Sequence, residues 1–304
     1  QVRAGLLGDF RPPCTPLNVV SPYQSTWSCS DALHESWPQF WTGDVHAMQG
    51  LLRVDKTAYR FMGAQLADEP AAAQLSRVVA PTTTTYVFEA GTVELIVMFA
   101  GVAIRLDEDL TAASRPITNV FLQVRPMDGK PHAVELYFDQ TAEAAVADVQ
   151  TEAVAWARLP STTLDMLSVG TAAQRTLGGK SDRINWGHAI VATPLGARGL
   201  RTAMSDANAL RRDFVAGRYF QSAADDDGPP RVASDRWPAL SVAWDLGAVA
   251  PGAVVERHLT LAYDQVLSMR FFGTDMPPLW RQRWPQAAEM LEAADAARWA
   301  DLSA

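Results

Sequence analysis

The chain has 304 residues, enough for one large β domain or two smaller ones and for a sizeable buried core. Its hydrophobic fraction of 48% and charged fraction of 20% are ordinary for a folded globular protein, and no run of about 18 apolar residues offers a membrane-spanning helix. The formal net charge of −8 is spread along the chain and argues against a nucleic-acid partner, because counterion release needs a basic face.

In chain order, the first residue is Gln1 and no charged-then-apolar leader precedes the fold, as expected of an exported protein after leader removal. Cys14 and Cys29 agree with that reading. In an oxidising compartment they would close a loop of about fifteen residues, worth roughly 3 kcal/mol in chain entropy. Two buried free thiols are the alternative. Residues 11–50 are rich in Pro, Trp, Ser and Thr and read as too irregular for a sheet interior.

Period-2 alternation then dominates. Thr82–Phe88, Thr92–Phe99, Ile117–Arg125 and His132–Asp139 read as strands, and Met127-Asp128-Gly129-Lys130 reads as the turn of a hairpin. Asp107-Glu108-Asp109 and Asp225-Asp226-Asp227 offer oxygen ligands without EF-hand spacing, so solvated acidic turns are the better reading. Residues 195–235 read as loop. Further strands are expected at Ile184–Ala192, Ala239–Trp244 and Val254–Tyr263. From Pro278 the pattern turns helical, with Trp280, Trp284, Ala287, Ala288, Leu291, Trp299 and Leu302 near one stripe. That stripe must bury itself against the sandwich or against a domain outside this sequence. The fold class is therefore mainly β: a large antiparallel β-sandwich ending in a helix. The organisation reads as an aromatic-rich segment over 1–50 packed on a sandwich over 51–275, with a linker helix over 276–304.

Chemistry is sparse. The sequence lacks a nucleophile elbow, phosphate-binding glycine loops and the H-E-x-x-H motif, and Cys and His never recur at zinc-ligand spacing. His34, His46, His132, His188 and His258 are scattered, three of them in predicted strands, where a structural role is the better reading. No metal and no cofactor are expected. The unusual part is Ser21–Gly63, where Tyr23, Trp27, Trp37, Phe40 and Trp41 crowd a polar, turn-rich stretch. Such loops often line pockets, with rings giving contact area and hydroxyls orienting a ligand. Tyr23, Trp27, Trp41 and Thr42 are the candidate substrate-pocket wall; the alternative is that the rings pad one end of the sandwich.

Several long segments, in order, resemble the N-terminal region of the glutaminase A family. They are SPYQSTW (21–27), WPQFWTG (37–43), GLLRVDKTAYRFMG (50–63), PTTTTYVFEAGTVELIVMF (81–99), RPITNVFLQVRPMDGKPHAVELYFDQTAE (115–143), RINWGHAIVA (183–192) and LAYDQVLSMRFFG (261–273). Lys56 departs from the family, which has Gly after Val-Asp in this hairpin. The resemblance implies a β-sandwich followed by a six-hairpin helical toroid that is missing from this sequence. It also implies deamidation of L-glutamine to glutamate and ammonia.

On that reading the chain is the non-catalytic partner of a larger catalytic chain or domain in a secreted amidohydrolase. Precursor cleavage after Ala304 would leave the nucleophile on the partner, as an N-terminal Cys, Ser or Thr whose own amine serves as base. The catalytic residues are not assignable here. The β-sandwich of a six-hairpin glycoside hydrolase, or a stand-alone binding module, are the alternatives.

Overall fold

The computed structural model describes residues 12–66, 68–104, 107–218, 220, 225, 228 and 230–298. The chain opens with β1 (Thr15–Ser21), β2 (Gln24–Ser28) and β3 (Gln39–Phe40), followed by β4 (Met48–Val54) and β5 (Thr57–Met62). Next come β6 (Ala73–Val79), β7 (Thr83–Ala90), β8 (Val93–Gly101), the one-turn helix α1 (Leu110–Ala113), β9 (Ile117–Pro126) and β10 (His132–Thr141). After a 3₁₀ turn at Ala142–Ala145 run β11 (Ala153–Leu159), β12 (Leu164–Thr171), β13 (His188–Pro194), β14 (Leu200–Asp206), α2 (Ala207–Val215) and β15 (Arg231–Val232). The last elements are β16 (Pro238–Val249), β17 (Val255–Asp264), β18 (Met269–Phe271), β19 (Thr274–Met276), a 3₁₀ turn at Leu279–Gln282 and α3 (Ala287–Ala297).

Two antiparallel sheets face each other, one of five strands in the order β14-β16-β10-β4-β5 and one of nine in the order β15-β11-β12-β13-β17-β9-β8-β7-β6. Alternation places the core between them. In β8, Val93, Leu95, Val97 and Phe99 point inward and are all but fully buried, meeting Leu136, Phe138, Val242 and Trp244 of the other sheet. Each such side chain contributes roughly 1.5–3 kcal/mol on leaving water. The expected mainly β, antiparallel sandwich with a C-terminal helix is the observed fold.

Both outer faces are covered over part of their area. Asp206 caps α2 by accepting from the backbone of Asn208 and Ala209, and α2 lays Leu210 and Phe214 on Leu51, Tyr137, Ala203 and Ala243 of the five-stranded sheet. The C-terminal segment covers the nine-stranded sheet, with Trp280, Met290 and Leu291 packed on Ile117, Leu164, Met166 and Ile190. A small sheet, β1-β2-β3, packs at one end, and the disulfide Cys14–Cys29 ties the outer ends of β1 and β2.

Several expectations are corrected. The Asp128-Gly129 turn is present, with Gly129 at φ +75, but β9 and β10 do not pair. β9 lies between β8 and β17 while β10 lies between β4 and β16, so this turn arches from one sheet to the other. The tract 11–50 holds β1, β2, β3 and the start of β4, and 195–235 holds β14, α2 and β15 instead of a loop. Strand β13 begins at His188, because Gly187 at φ +76 turns the chain where Ile184 was expected to start it. The Trp-bearing C-terminus is broken into a 3₁₀ turn and a helix beginning only at Ala287; Trp280 is buried on the sandwich, and Trp299 and Leu302 lie outside the described residues. So do Asp226 and Asp227 of the acidic run, whereas Asp225 pairs with Arg158. In the β4–β5 turn the positive φ falls on Asp55, so Lys56 does not need the freedom of a glycine there.

Candidate functional site

One end of the sandwich gathers the start of β4, the end of β10, the β12–β13 loop and the β1-β2-β3 sheet. All four candidate pocket residues stand there. The Trp41 indole donates to the carbonyl of Pro22 at 3.1 Å, and Tyr23 next to it packs edge-on against Trp186 with centroids 5.4 Å apart. Thr42 is exposed and bonds Asp44 at 3.0 Å. Trp27, on β2 of the same small sheet, faces a different recess. Its indole donates to Ser25 Oγ, and its ring lines a separate groove with Val19, Val20 and Phe99. The four therefore do not wall one pocket in this chain. Trp41, 52% exposed, is the open ring among them.

Beneath them runs a buried polar chain. Arg183 donates to His46 Nε2 at 3.2 Å and to the carbonyl of Glu143 at 2.7 Å, and His46 Nδ1 lies 3.2 Å from Thr26 Oγ1. A guanidinium has no acceptor, so Nε2 must accept and Nδ1 must carry the proton that goes to Thr26. Burial, then the Arg183 charge, holds His46 down to about 3. Glu143 accepts from Thr141 and from the backbone of Ala47, and burial pushes its carboxyl up. His46 thus presents a donor to Thr26 and cannot take its proton.

A second hydroxyl–imidazole contact lies at the opposite end of the sandwich, where Thr92 meets His132 at 3.0 Å. Asp55 faces its Nδ1 and Asp128 its Nε2; the two carboxylates raise its pKa and hold a proton on both ring nitrogens, which leaves no lone pair for the Thr92 hydroxyl. Neither imidazole offers its hydroxyl neighbour a free ring nitrogen, so neither contact activates a nucleophile.

A recess of about 670 Å³ lies between α3 and the outer face of the nine-stranded sheet. Trp156, Ser168, His188, Asp264, Glu289 and Glu292 are on its walls. Burial lowers the His188 pKa against the pull of Asp264, leaving a neutral imidazole. Arg281 clamps both oxygens of Asp264 at 2.6–2.7 Å, and Glu292 accepts from Ser161. Register sets Ser168 opposite Ile190, so that it is a diagonal neighbour of His188 at about 7 Å. The recess can hold polar and aromatic groups but assembles no nucleophile with its base. Among the described residues no group of three or more His, Cys, Asp or Glu is placed to hold a metal ion.

From the same end projects a feature that pattern reading did not single out. The Trp186 indole donates to the carbonyl of Leu267 at 3.0 Å, and from there β18 and β19 form a hairpin. Phe272 at its tip is 92% exposed and Phe271 beside it 58%. The signal was legible in the Phe-Phe-Gly triplet, with Gly273 at φ +81 closing the turn. Trp186 and His188 were equally available in the Trp-Gly-His run, between a loop and a strand.

These features define a class: a two-sheet antiparallel β domain with apolar and aromatic surface at one end and no assembled catalytic group among its described residues. The chain belongs to the family described as Domain of unknown function (DUF5127), matched over residues 82–300, and residues 4–69 match a second, Domain of unknown function (DUF4964). It is 30% identical to Glutaminase A of Aspergillus oryzae over 95% of its length, which is 43% of that relative. The chain thus spans less than half of the curated relative. Among solved structures, one assigned as a kojibiose phosphorylase from human microbiome shares 8% identity at a TM-score of 0.46, with 95% of this chain and 34% of that one covered.

Proposed function

We propose that this chain is the non-catalytic β region of a secreted glutaminase-like amidohydrolase that converts L-glutamine and water to L-glutamate and ammonia. The observation that carries the reading is the continuous similarity to Glutaminase A along 95% of the chain. The site geometry agrees with it. An amide hydrolase needs a nucleophile, a base and oxyanion donors, and neither hydroxyl–imidazole contact nor the recess supplies them together. The catalytic groups therefore belong to the region that makes up the rest of such a relative, either continuous with this chain or a separate chain released by cleavage after Ala304. Within this reading, 1–50 and 276–304 flank a sandwich over 51–275, and Tyr23, Trp41 and Thr42 form part of the wall that faces the catalytic region. The Cys14–Cys29 disulfide supports an oxidising compartment outside the cytoplasm.

The test is ammonia release from L-glutamine by the full-length gene product, with intact mass recorded on the same sample. Expected are one ammonia per glutamate, and catalysis that depends on polypeptide beyond these 304 residues. Release of sugar from glycans without ammonia from glutamine would overturn the assignment.

A further inference from the structure

We infer that the β18–β19 hairpin is the element by which this chain grips the catalytic region, its Phe271–Phe272 tip entering an apolar recess there. The inference rests on the reading that such a region exists. Met269, Phe271, Phe272 and Met276 are 54%, 58%, 92% and 43% exposed, four large apolar side chains within eight residues. Contiguous exposed apolar surface of this kind marks an interaction site, whereas scattered single residues do not. The two charges on the hairpin, Arg270 and Asp275, pair across the strands and neutralise each other. An apolar socket suits such a tip better than a charged surface.

The root is rigid. Trp186 holds the carbonyl of Leu267, Ser268 N donates to the carbonyl of Met276, and Arg281 clamps Asp264 just before the hairpin. A rigid base with an exposed aromatic tip loses little entropy on docking, which favours a built contact over a floppy loop. Position favours the catalytic region as occupant. The hairpin immediately precedes the C-terminal segment, and the larger part of the Glutaminase A relative lies outside the stretch this chain matches. Trp41, linked through Pro22, Tyr23 and the buried Trp186 to the hairpin root, is a further exposed ring tied to it.

The experiment places p-benzoyl-phenylalanine at position 272 of the full-length protein, with position 75 on the exposed edge strand β6 as control, and maps photo-crosslinks by peptide mass spectrometry. Glutamine deamidation and intact mass are read on both samples. Crosslinks from position 272, and none from 75, to peptides outside the 304 residues would support the docking. Phe271→Ser with Phe272→Ser should then weaken the hold on the catalytic region, while Leu75→Ser should not. Crosslinks only within the 304 residues, only to a second copy, or only to added phosphatidylcholine vesicles would overturn the docking while deamidation persists. Absence of both deamidation and any further polypeptide would instead overturn the underlying reading, and the docking with it.

Discussion

Asp139 and Arg211 meet in a bidentate pair with both bonds at 2.7 Å, and Tyr137 adds its hydroxyl to the same carboxylate at 2.6 Å. Both charged groups are buried, and Trp37 lies under the guanidinium at 4.8 Å. Breaking a buried pair leaves the other charge without compensation, so Arg211→Ala should cost about 3–5 kcal/mol in urea unfolding. Arg270→Ala breaks an exposed pair and should leave the unfolding midpoint unchanged. Equal effects for the two variants would refute the role of burial. The histidines act in opposite directions. His46 is held near 3 in the fold against 6.5 free, so the unfolded chain binds the extra proton and stability falls as pH drops below 6.5. His132 is raised above 6.5 in the fold, so its contribution is full below 6.5 and fades as pH rises through the folded value. Asp55 and Asp128, lowered by the same contact, contribute above 3.8 and lose that contribution as pH falls through their folded values. The urea midpoint should therefore decline from pH 6.5 to 4 in the native chain. His132→Gln should flatten the limb above 6.5 and, by removing the contact that lowers Asp55 and Asp128, the limb below 3.8, leaving the decline between 6.5 and 4 in place. An unchanged limb above 6.5 would remove His132 from the pH response.

Among the elements, the Cys14–Cys29 disulfide ties the hairpin of β1 and β2 on which Trp27, Tyr23 and Trp41 depend. Replacing both cysteines by serine should lower stability by about 3 kcal/mol, the chain-entropy value for a loop of about fifteen residues. If β1 and β2 are the elements released, amide exchange should rise there first and leave β8 and β9 untouched. The same elements explain what the sequence could reveal. β7 and β8 alternate buried with more exposed positions, so their periodicity is plain, and β9 and β10 do so toward the Asp-Gly turn, over Leu122–Pro126 and His132–Leu136. β4 is buried along almost its whole length, and its sequence MQGLLRV carries no period-2 signal. β14 and α2 were hidden in a polar tract because α2 presents only Leu210 and Phe214 as large apolar anchors. The Asp-Gly turn declared a reversal but not which sheet receives the next strand, because that choice is made by partners far along the chain. Of the candidate site, the aromatic loops were visible by composition. The arginine chain behind His46 was not, because Arg183 lies 137 residues away from it.

For the molecule as a whole, the question is whether the C-terminal segment belongs to the folded unit or merely trails from it. Trp280 is 1% exposed and packs with Met290 and Leu291 against four residues from β9, β12 and β13. Arg283 reaches Asp109, Asp295 meets His258 at 2.7 Å, and Arg281 holds Asp264, so polar contacts pin the segment along its length. Trp280→Ala should then cost about 3–5 kcal/mol, a large part of the roughly 5–15 kcal/mol that holds a domain folded. Trp284, only partly buried, should cost clearly less when changed to Ala. Equilibrium urea unfolding with two probes, far-ultraviolet circular dichroism and tryptophan fluorescence, separates the possibilities. One coincident, shifted transition for Trp280→Ala means that the segment and both sheets unfold together. A small early transition followed by an unshifted main one would mean that the sandwich stands without its C-terminal cover. In the first case the hairpin and α3 share one rigid frame, and whatever the hairpin grips is held in fixed orientation to the β domain; in the second, only the hairpin root carries that constraint.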